Sequence, residues 1–466
     1  MNGHHHEGRA RPIIIVTGAN AGVGFAICHR LLIQLAHRVP PDSLPQRAVS
    51  RSILISHSSL DKSSELAQFA ECESLTLILA CRNTSKAEEA RTQLLEHLDK
   101  EVERIKRKAK SRREGDKDVK NAETFRENVH VIVHRLDLAS IESIFNFARD
   151  IESKYPYVSH LVCNAGVASF IGYDWPLAIK QLLTDFIGAV VSPLYKIQRI
   201  GEMSDDGLGW VWQCNVFGHY VLFRLLEPLL ERSSNHTKSP SRILWMSSVE
   251  ALPECYDPSD WQLIRNSKSY EASKHQIDLL VGWFEQQQQK QQQHNGKALR
   301  SRHFLCHPGV VRTNIAVKSL NSVVLDLCMQ LAFFTAHFFG SRAHTITPYK
   351  SAISAVHLML VALPFVTVAI SSPAPTSSVD SHSSSNPHSP SATDSTKTTP
   401  PTSNSEPKAK APVPLKFGSQ CNYWFSEFVN ANEVPEWDET LAADLVRKCE
   451  ELFQKFKERE EKRLSS

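Results

Sequence analysis

The feature that most constrains the fold is a glycine-rich turn between a strand-like and a helix-like segment near the start of the chain. Residues 13–16 (IIIV) are a β-branched run typical of a central parallel strand. They lead directly into residues 17–24 (TGANAGVG), and residues 25–35 are helix-like. Glycines at this spacing let the turn close and let backbone N–H groups approach a pyrophosphate at a helix N-terminus. The segment therefore predicts a dinucleotide-binding unit.

Further strand-like runs alternate with helix-like segments along the chain. They lie at residues 75–80, 129–133, 160–163, 242–246 and 304–306. This alternation predicts an α/β fold, a Rossmann-like doubly wound parallel sheet.

The predicted domain organisation is one Rossmann-like domain with insertions, over residues 10–370. The insertions are expected at about residues 39–72, 98–124, 167–210 and 286–296. Residues 371–413 are rich in Ser, Thr and Pro and predict a disordered linker. Residues 414–466 are expected to supply a last strand, within the aromatic stretch 417–428, and a charged amphipathic helix.

Composition excludes several classes of protein. The net charge of +3 over 466 residues gives no indication of nucleic-acid binding. The ten cysteines are scattered and form no C-x-x-C pair, which argues for a reducing compartment and against a disulfide framework or a zinc site. We expect no metal and no hydrophobic signal peptide.

The end of the second strand indicates which dinucleotide is bound. Folds that take NAD usually place an acid there for the ribose hydroxyls, and this chain has Arg82 instead, with Lys86 one turn later. Both cations suit the 2′-phosphate of NADP, although Arg82 could also merely cap the strand. Asp137, after the third strand, could accept a hydrogen bond from an adenine amino group. We therefore expect NADP(H).

Residues 269–275 (SYEASKH) indicate proton chemistry. On a helix Tyr270 and Lys274 are four residues apart and share a face. An ammonium beside a phenol lowers a pKa that is otherwise about 10, although the same spacing also occurs on solvated helix faces. Asn215 lies on a mostly apolar helix, where its amide needs a structural water or a carbonyl partner. Val311 and Thr313, after the sixth strand, could face a nicotinamide carboxamide.

Six motifs in this order resemble the short-chain dehydrogenase/reductases over about residues 10–370. They are T-G-x-x-x-G-x-G, N-A-G, Asn215, Ser248, Y-x-x-x-K and P-G-x-V-x-T. Residues 175–181 (WPLAIKQ) and 206–220 (DGLGWVWQCNVFGHY) are more specifically similar to the fungal 3-keto-steroid reductases of sterol C-4 demethylation.

This resemblance implies NADPH-dependent reduction of the C-3 ketone of a sterol intermediate to the 3β-hydroxyl in ergosterol biosynthesis. Tyr270 would be the proton donor, and Lys274 would lower its pKa and hold the nicotinamide ribose. Ser248 would hydrogen-bond the carbonyl, and Asn215 would hold a water in the proton relay. The implied cofactor-binding residues are Gly18, Asn20, Gly22, Val23, Gly24, Arg82, Lys86, Asp137, Asn164, Tyr270, Lys274, Val311 and Thr313.

The assignment of the serine stays open, because Ser248 precedes Tyr270 by 22 positions, a longer gap than in most of the superfamily. Ser247 is the alternative, and Ser248 is favoured because Val249 follows it. Two other functions also remain open. Residues 81–90 are also similar to a retinol or broad carbonyl reductase branch, and a non-catalytic scaffold for other sterol enzymes would keep the same fold.

Membrane contact is expected from two apolar segments, residues 323–340 and 351–370. The second is about long enough to cross a bilayer, but Pro364 interrupts it and its first half could equally be a core helix. We expect peripheral attachment to the cytosolic face of the endoplasmic reticulum membrane, with lipid droplets as an alternative. Association with other enzymes of sterol C-4 demethylation is also expected.

Overall fold

The computed structural model describes residues 11–46, 69, 71–112, 117–295, 300–311, 323–344, 347–366, 369–370 and 412–465. Thr313, almost all of the expected linker at 371–413 and much of the expected insertion at 39–72 lie outside the described residues.

Eleven strands are present in the described part of the chain. They are β1 (Ile13–Thr17), β2 (Leu75–Cys81), β3 (Val129–Arg135), β4 (His160–Cys163), β5 (Phe170–Tyr173), β6 (Lys196–Gln198), β7 (Ser241–Met246), β8 (Ser301–His307), β9 (Ala369–Ile370), β10 (Val413–Cys421) and β11 (Glu427–Glu433). The main sheet has the order β3-β2-β1-β4-β7-β8-β10-β11, and only β11 and the short β9, which both pair with β10, are antiparallel. The strand order reverses between β1 and β4, where this kind of sheet opens a crevice for ligands. The predicted Rossmann-like fold is confirmed.

Helices cover both faces of the sheet. They are Gly22–Leu35, Thr84–Arg112, Lys117–Asn128, Ile141–Lys154, Trp175–Thr184, Phe186–Val191, Trp210–Trp212, Gly218–Thr237, Ser269–Asn295, Val323–Phe338, Pro348–Ser351, Ile353–Leu360 and Glu439–Ser465. A π-helical turn at Gln213–Phe217 joins two of them.

Two apolar cores lie on opposite sides of the sheet, because successive strand residues point to opposite faces. Ile14 of β1 faces the core that contains Leu31 and Met359. Ile15 faces the other core, which contains Trp212 and Phe453. The helices are therefore held by burial of apolar surface on both faces, as the strand and helix alternation predicts.

The apolar segment at 351–370 contributes to one of these cores. All eight residues of the Ile353–Leu360 helix are buried, and the chain then turns through Leu363–Phe365, where Pro364 lies. Among the described residues we find no helix with both the length and the apolar character needed to cross a bilayer.

Two segments extend this framework toward the site. Within the expected insertion at 167–210, β5 and β6 form an antiparallel hairpin that lies apart from the main sheet. The predicted C-terminal strand is β10, which pairs in parallel with β8 and so belongs to the main sheet. The C-terminal helix Glu439–Ser465 contacts the Gly218–Thr237 helix, where the Tyr220 hydroxyl donates a 2.5 Å hydrogen bond to Glu450.

Candidate functional site

A cavity of about 860 Å³ lies at the carboxyl ends of the parallel strands. The sequence-predicted residues that line it are Gly18, Asn20, Gly22, Val23, Gly24, Arg82, Lys86, Asp137, Asn164, Ser248, Tyr270, Lys274 and Val311. Asn215 lies behind the cavity wall, and Thr313 is outside the described residues. Residues from five of the six motifs thus meet at one place, together with Arg82, Lys86 and Asp137.

The glycine turn forms one end of the cavity. Gly18 and Gly22 have positive φ angles of 66° and 57°, a conformation that favours glycine. A Cβ on Gly24 would lie 2.4 Å from the Gly18 carbonyl oxygen and 2.5 Å from Asn164 Nδ2. The Gly22–Leu35 helix begins here without a side-chain cap or an acidic residue in its first turn. Its free N–H groups and positive dipole end suit a pyrophosphate.

Asn164 fastens the glycine turn to the strand beside it. Its Nδ2 donates to the Thr17 carbonyl at 2.9 Å, and its backbone N–H donates to Thr17 Oγ1 at 2.9 Å. The same hydroxyl accepts from the N–H of Ala165 at 2.9 Å. Asn164, which the resemblance implies as a cofactor-binding residue, therefore also fixes the shape of the turn.

Two cations stand at the far side of the glycine turn. Arg82 and Lys86 are exposed and line the cavity. Within the described ranges, neither side chain has a carboxylate within ion-pair distance. Asp137, which also lines this end, accepts a 3.1 Å hydrogen bond from the backbone N–H of Ala139. The arrangement leaves two unneutralised positive charges where an anionic group would enter.

Tyr270 lies at the start of the Ser269–Asn295 helix, and a residue that the sequence did not reveal holds this helix end. Gln198 Oε1 accepts from the Tyr270 backbone N–H at 2.9 Å and from Ser269 Oγ at 3.1 Å. Its Nε2 donates to Glu271 at 2.5 Å. The β5–β6 hairpin, which carries Gln198, therefore caps the helix that carries Tyr270.

The environment of Tyr270 differs from the expectation. Burial and the nearby carboxylate of Glu250 raise the pKa of Tyr270, and a hydrogen bond with Ser248 partly opposes them. Lys274 Nζ lies 5.8 Å from the centre of the Tyr270 ring. The expected lowering of the Tyr270 pKa by Lys274 is therefore wrong for this structure, because burial and the charge of Glu250 dominate. The phenol is protonated at neutral pH.

The two candidate serines point to different partners. Ser248 Oγ accepts from the Glu250 backbone N–H at 3.0 Å, and Ser248 acts on the Tyr270 hydroxyl in the direction that lowers its pKa. Ser247 Oγ donates to Asp278 at 2.5 Å on the other side of the backbone. Of the two, Ser248 is the serine placed beside Tyr270.

Lys274 and Asn215 shape the wall next to Tyr270. Lys274 is buried, and its Nζ donates to the Met246 carbonyl at 2.8 Å. Burial lowers the pKa of Lys274 to about 8, against the opposing effect of Asp278. Asn215 Oδ1 accepts from the Val167 N–H at 2.7 Å, while its Nδ2 donates to the Val167 carbonyl and to Ser273 Oγ at 2.9 and 3.0 Å. Asn215 thus has a carbonyl partner, one of the two expected from sequence.

The other end of the cavity is largely apolar. Its lining includes Trp175, Leu182, Val190, Pro193, Met329 and Phe333. These residues come from the 167–210 insertion and from the Val323–Phe338 helix. The Lys196–Glu250 ion pair, at 2.6 Å, also lines the cavity. The cavity therefore joins a polar, anion-accepting end to an apolar end, with a phenol between them.

Comparison with known proteins identifies several relatives, although no protein-family model matches the chain. The 3-keto-steroid reductase of Aspergillus fumigatus is 30% identical over 380 residues, which are 76% of this chain and 74% of that protein. That of Schizosaccharomyces pombe is 27% identical over 345 residues, 74% and 81% of the two chains. That of Kluyveromyces lactis is 32% identical over 229 residues, 49% of this chain and 62% of that one.

Solved structures with similar folds have low sequence identity. The Pseudomonas aeruginosa RhlG/NADP complex aligns with a TM-score of 0.41 and 14% identity, over 75% of this chain and 90% of that one. L-sorbose reductase from Gluconobacter frateurii, complexed with NADPH and L-sorbose, aligns with a TM-score of 0.41 and 15% identity, over 76% and 90%.

Proposed function

The chain belongs to the 3-keto-steroid reductase family, and we propose that it reduces the C-3 ketone of a sterol to the 3β-hydroxyl with NADPH. The observation that carries this proposal is the position of Tyr270. Its side chain lines, together with Ser248 and Lys274, a cavity that runs from the glycine turn to an apolar wall. We further propose that the step belongs to sterol C-4 demethylation in ergosterol biosynthesis, beside the other enzymes of that sequence.

The side chains fit the charge that develops during ketone reduction. When bound, NADPH supplies the hydride. Tyr270, protonated because burial raises its pKa, donates a proton to the carbonyl oxygen. Ser248 donates a hydrogen bond to the same oxygen, and the Lys274 cation stabilises the negative charge on it and on the phenolate left behind.

A substrate panel tests this proposal directly. We expect the purified protein to oxidise NADPH in the presence of 3-keto sterols, with 3β-hydroxysterols as products identified by mass spectrometry and chromatography against standards. Faster turnover of a retinoid would support the carbonyl-reductase alternative. No turnover of any ketone would support the scaffold alternative.

The double variant Arg82→Ala/Lys86→Ala is expected to raise the KM for NADPH about tenfold or more, because the 2′-phosphate loses two charge-assisted partners. The KM for NADH should change by no more than about threefold, since NADH has no 2′-phosphate. Steady-state kinetics with both cofactors measure this.

The matched control is Arg91→Ala, on the helix that carries Lys86. Arg91 pairs with Glu88 at 2.8 Å and does not line the cavity. It should leave both KM values unchanged. An equal loss with both cofactors in the double variant would contradict the role given to Arg82 and Lys86.

We also propose peripheral attachment to the cytosolic face of the endoplasmic reticulum membrane or to lipid droplets. Exposed apolar side chains support it, and we call them the apolar rim: Trp175, Ile179, Leu183, Leu331, Phe338, Phe339, Tyr423 and Trp424. Trp175 and the Val323–Phe338 helix line the cavity. The β10–β11 turn packs on this helix, with the Phe425 and His337 ring centres 4.3 Å apart. Such a rim suits a lipid-dissolved substrate.

Phe338→Asp/Trp424→Asp is expected to lower the vesicle-bound fraction of the protein by about tenfold, because two charges replace buried contacts with acyl chains. Flotation with phosphatidylcholine vesicles measures the bound fraction. Leu464→Asp, at an apolar residue that is 61% exposed on the C-terminal helix, is the control. Equal flotation of both variants would exclude the apolar rim as the membrane-binding surface. In a separate experiment, carbonate extraction should release the wild-type protein from membranes.

A further inference from the structure

A buried ion pair lies directly behind the residues that line the site. Lys416, on β10, donates from Nζ to Asp278 Oδ2 at 2.5 Å and to the Ser248 carbonyl at 3.3 Å. The Asp278 side chain is fully buried and that of Lys416 is 10% exposed. The two residues are 138 positions apart in sequence. Burying such a pair is costly, so its position beside Ser248 calls for a role.

Asp278 has a second cation within reach. It follows Lys274 by four residues on the same helix, the spacing at which lysine and aspartate side chains pair. Asp278 also acts electrostatically on Lys274, raising its pKa against the effect of burial. Lys274 nevertheless donates to the Met246 carbonyl. Asp278 is thus paired with Lys416 and acts on Lys274 through its charge.

Both oxygens of Asp278 already have partners. Oδ1 accepts from Ser247 Oγ at 2.5 Å, and Oδ2 accepts from Lys416. The positive charge of Lys416 at Oδ2 weakens the attraction of this carboxylate for Lys274, whose Nζ donates to the Met246 carbonyl and lies at the cavity wall.

The other titratable groups packed around the pair do not supply a replacement charge. Burial, with the charge of Lys416, lowers the pKa of His307 to about 3, so this ring is neutral. Burial also lowers the pKa of His275. Burial raises the pKa of Cys306 to about 12, so its thiol is neutral as well. The local balance is set by Lys274, Lys416 and Asp278.

We propose that Lys416 is a positioning residue, which occupies Asp278 and thereby keeps Lys274 directed into the cavity beside Tyr270. Without Lys416, the carboxylate of Asp278 draws Lys274 into the pairing along its own helix. The ammonium is then withdrawn from the place where the nicotinamide ribose and the ketone oxygen would meet. The catalytic part of this inference rests on the proposed function.

Three variants test the competition: Lys416→Met, Asp278→Asn and the double variant. Lys416→Met should lower kcat at least about tenfold and raise the Kd for NADPH at least about fivefold, because Lys274 is withdrawn. Asp278→Asn and the double variant should keep both constants within about threefold of wild type, because no carboxylate competes for Lys274. Tryptophan fluorescence titration gives the Kd, and thermal unfolding reports stability separately.

A purely structural ion pair would give a different pattern. If the pair is purely structural, Asp278→Asn should impair kcat and the Kd for NADPH as much as Lys416→Met does. That result would overturn the proposal. Wild-type values of kcat and Kd in Lys416→Met would also overturn it. If Lys416→Met does not fold, the double variant decides. Near-wild-type constants support the proposal, and a loss of about tenfold in kcat overturns it. If wild-type protein reduces no sterol ketone, the proposed function fails, while the NADPH Kd series still tests the role of Lys416.

Discussion

Tyr270→Phe is expected to lower kcat for ketone reduction by about a hundredfold to ten-thousandfold, the range for loss of a positioned general acid. The variant removes one hydroxyl and keeps the ring, so the ring contact with Phe170, at 5.8 Å between centres, persists. The Kd for NADPH should therefore change by no more than about threefold. Single-turnover oxidation of NADPH with a 3-keto sterol, followed by absorbance, measures the effect.

The control for this variant is Tyr157→Phe. Tyr157 is another buried phenol, whose hydroxyl donates at 2.6 Å to the carbonyl of Arg11, outside the cavity. Its replacement removes a buried hydrogen bond and should affect stability more than kcat. Ketone reduction that survives in Tyr270→Phe would refute Tyr270 as the proton donor and would favour the scaffold alternative.

Gly24→Ala is expected to raise the Kd for NADPH by about tenfold or more and to lower the melting temperature. The added Cβ would lie 2.4 Å from the Gly18 carbonyl oxygen and 2.5 Å from Asn164 Nδ2, and neither can move without opening the glycine turn. The backbone N–H groups at the start of the following helix would then lose their common direction. Thermal unfolding with and without NADPH measures both effects.

Gly172→Ala makes the same chemical change where space is available, since a Cβ there would meet no atom within 4 Å. It should leave the Kd and the melting temperature close to those of wild type. A Gly24→Ala protein with unchanged NADPH-dependent stabilisation would contradict the proposed binding of the dinucleotide at this turn.

The local parts of this site could be predicted from the sequence, because they depend on neighbours along the chain. The β-branched run at Ile13–Thr17 forms a strand that pairs with two others and ends at the glycine turn. Tyr270 and Lys274 share a helix face because a helix repeats every 3.6 residues. The glycine turn, Asn164, Ser248 and Val311 meet in one cavity because each follows a parallel strand, and the carboxyl ends of these strands share one edge of the sheet.

The long-range parts could not be predicted, because they depend on which surfaces the fold brings together. Gln198 reaches Tyr270 from a hairpin 72 residues earlier in sequence, and no local pattern marks it. Glu250 raises the Tyr270 pKa only because a loop brings it there. Lys416 lies between Leu415 and Phe417, where the alternation of a strand predicts a solvent-exposed residue, so its burial could not be predicted either.

Hydropathy alone could not decide whether the second apolar segment crosses a membrane, for a related reason. Residues 353–360 are mostly apolar, a composition that suits a helix inside a bilayer or one inside a protein core. Here the main sheet and its neighbours supply the apolar surroundings. A bilayer and a protein core differ in what surrounds the helix, and the sequence of the helix alone does not specify its surroundings.

The placement of Lys416 on β10 has a consequence for the newly made polypeptide. Synthesis runs from the N-terminus, so the glycine turn, Ser248, Tyr270 and Lys274 all leave the ribosome before β10 does. Under the role proposed for Lys416, this lysine does not compete with Lys274 for Asp278 until that late strand docks beside β8. The site would then reach its working arrangement only after most of the chain has been synthesised.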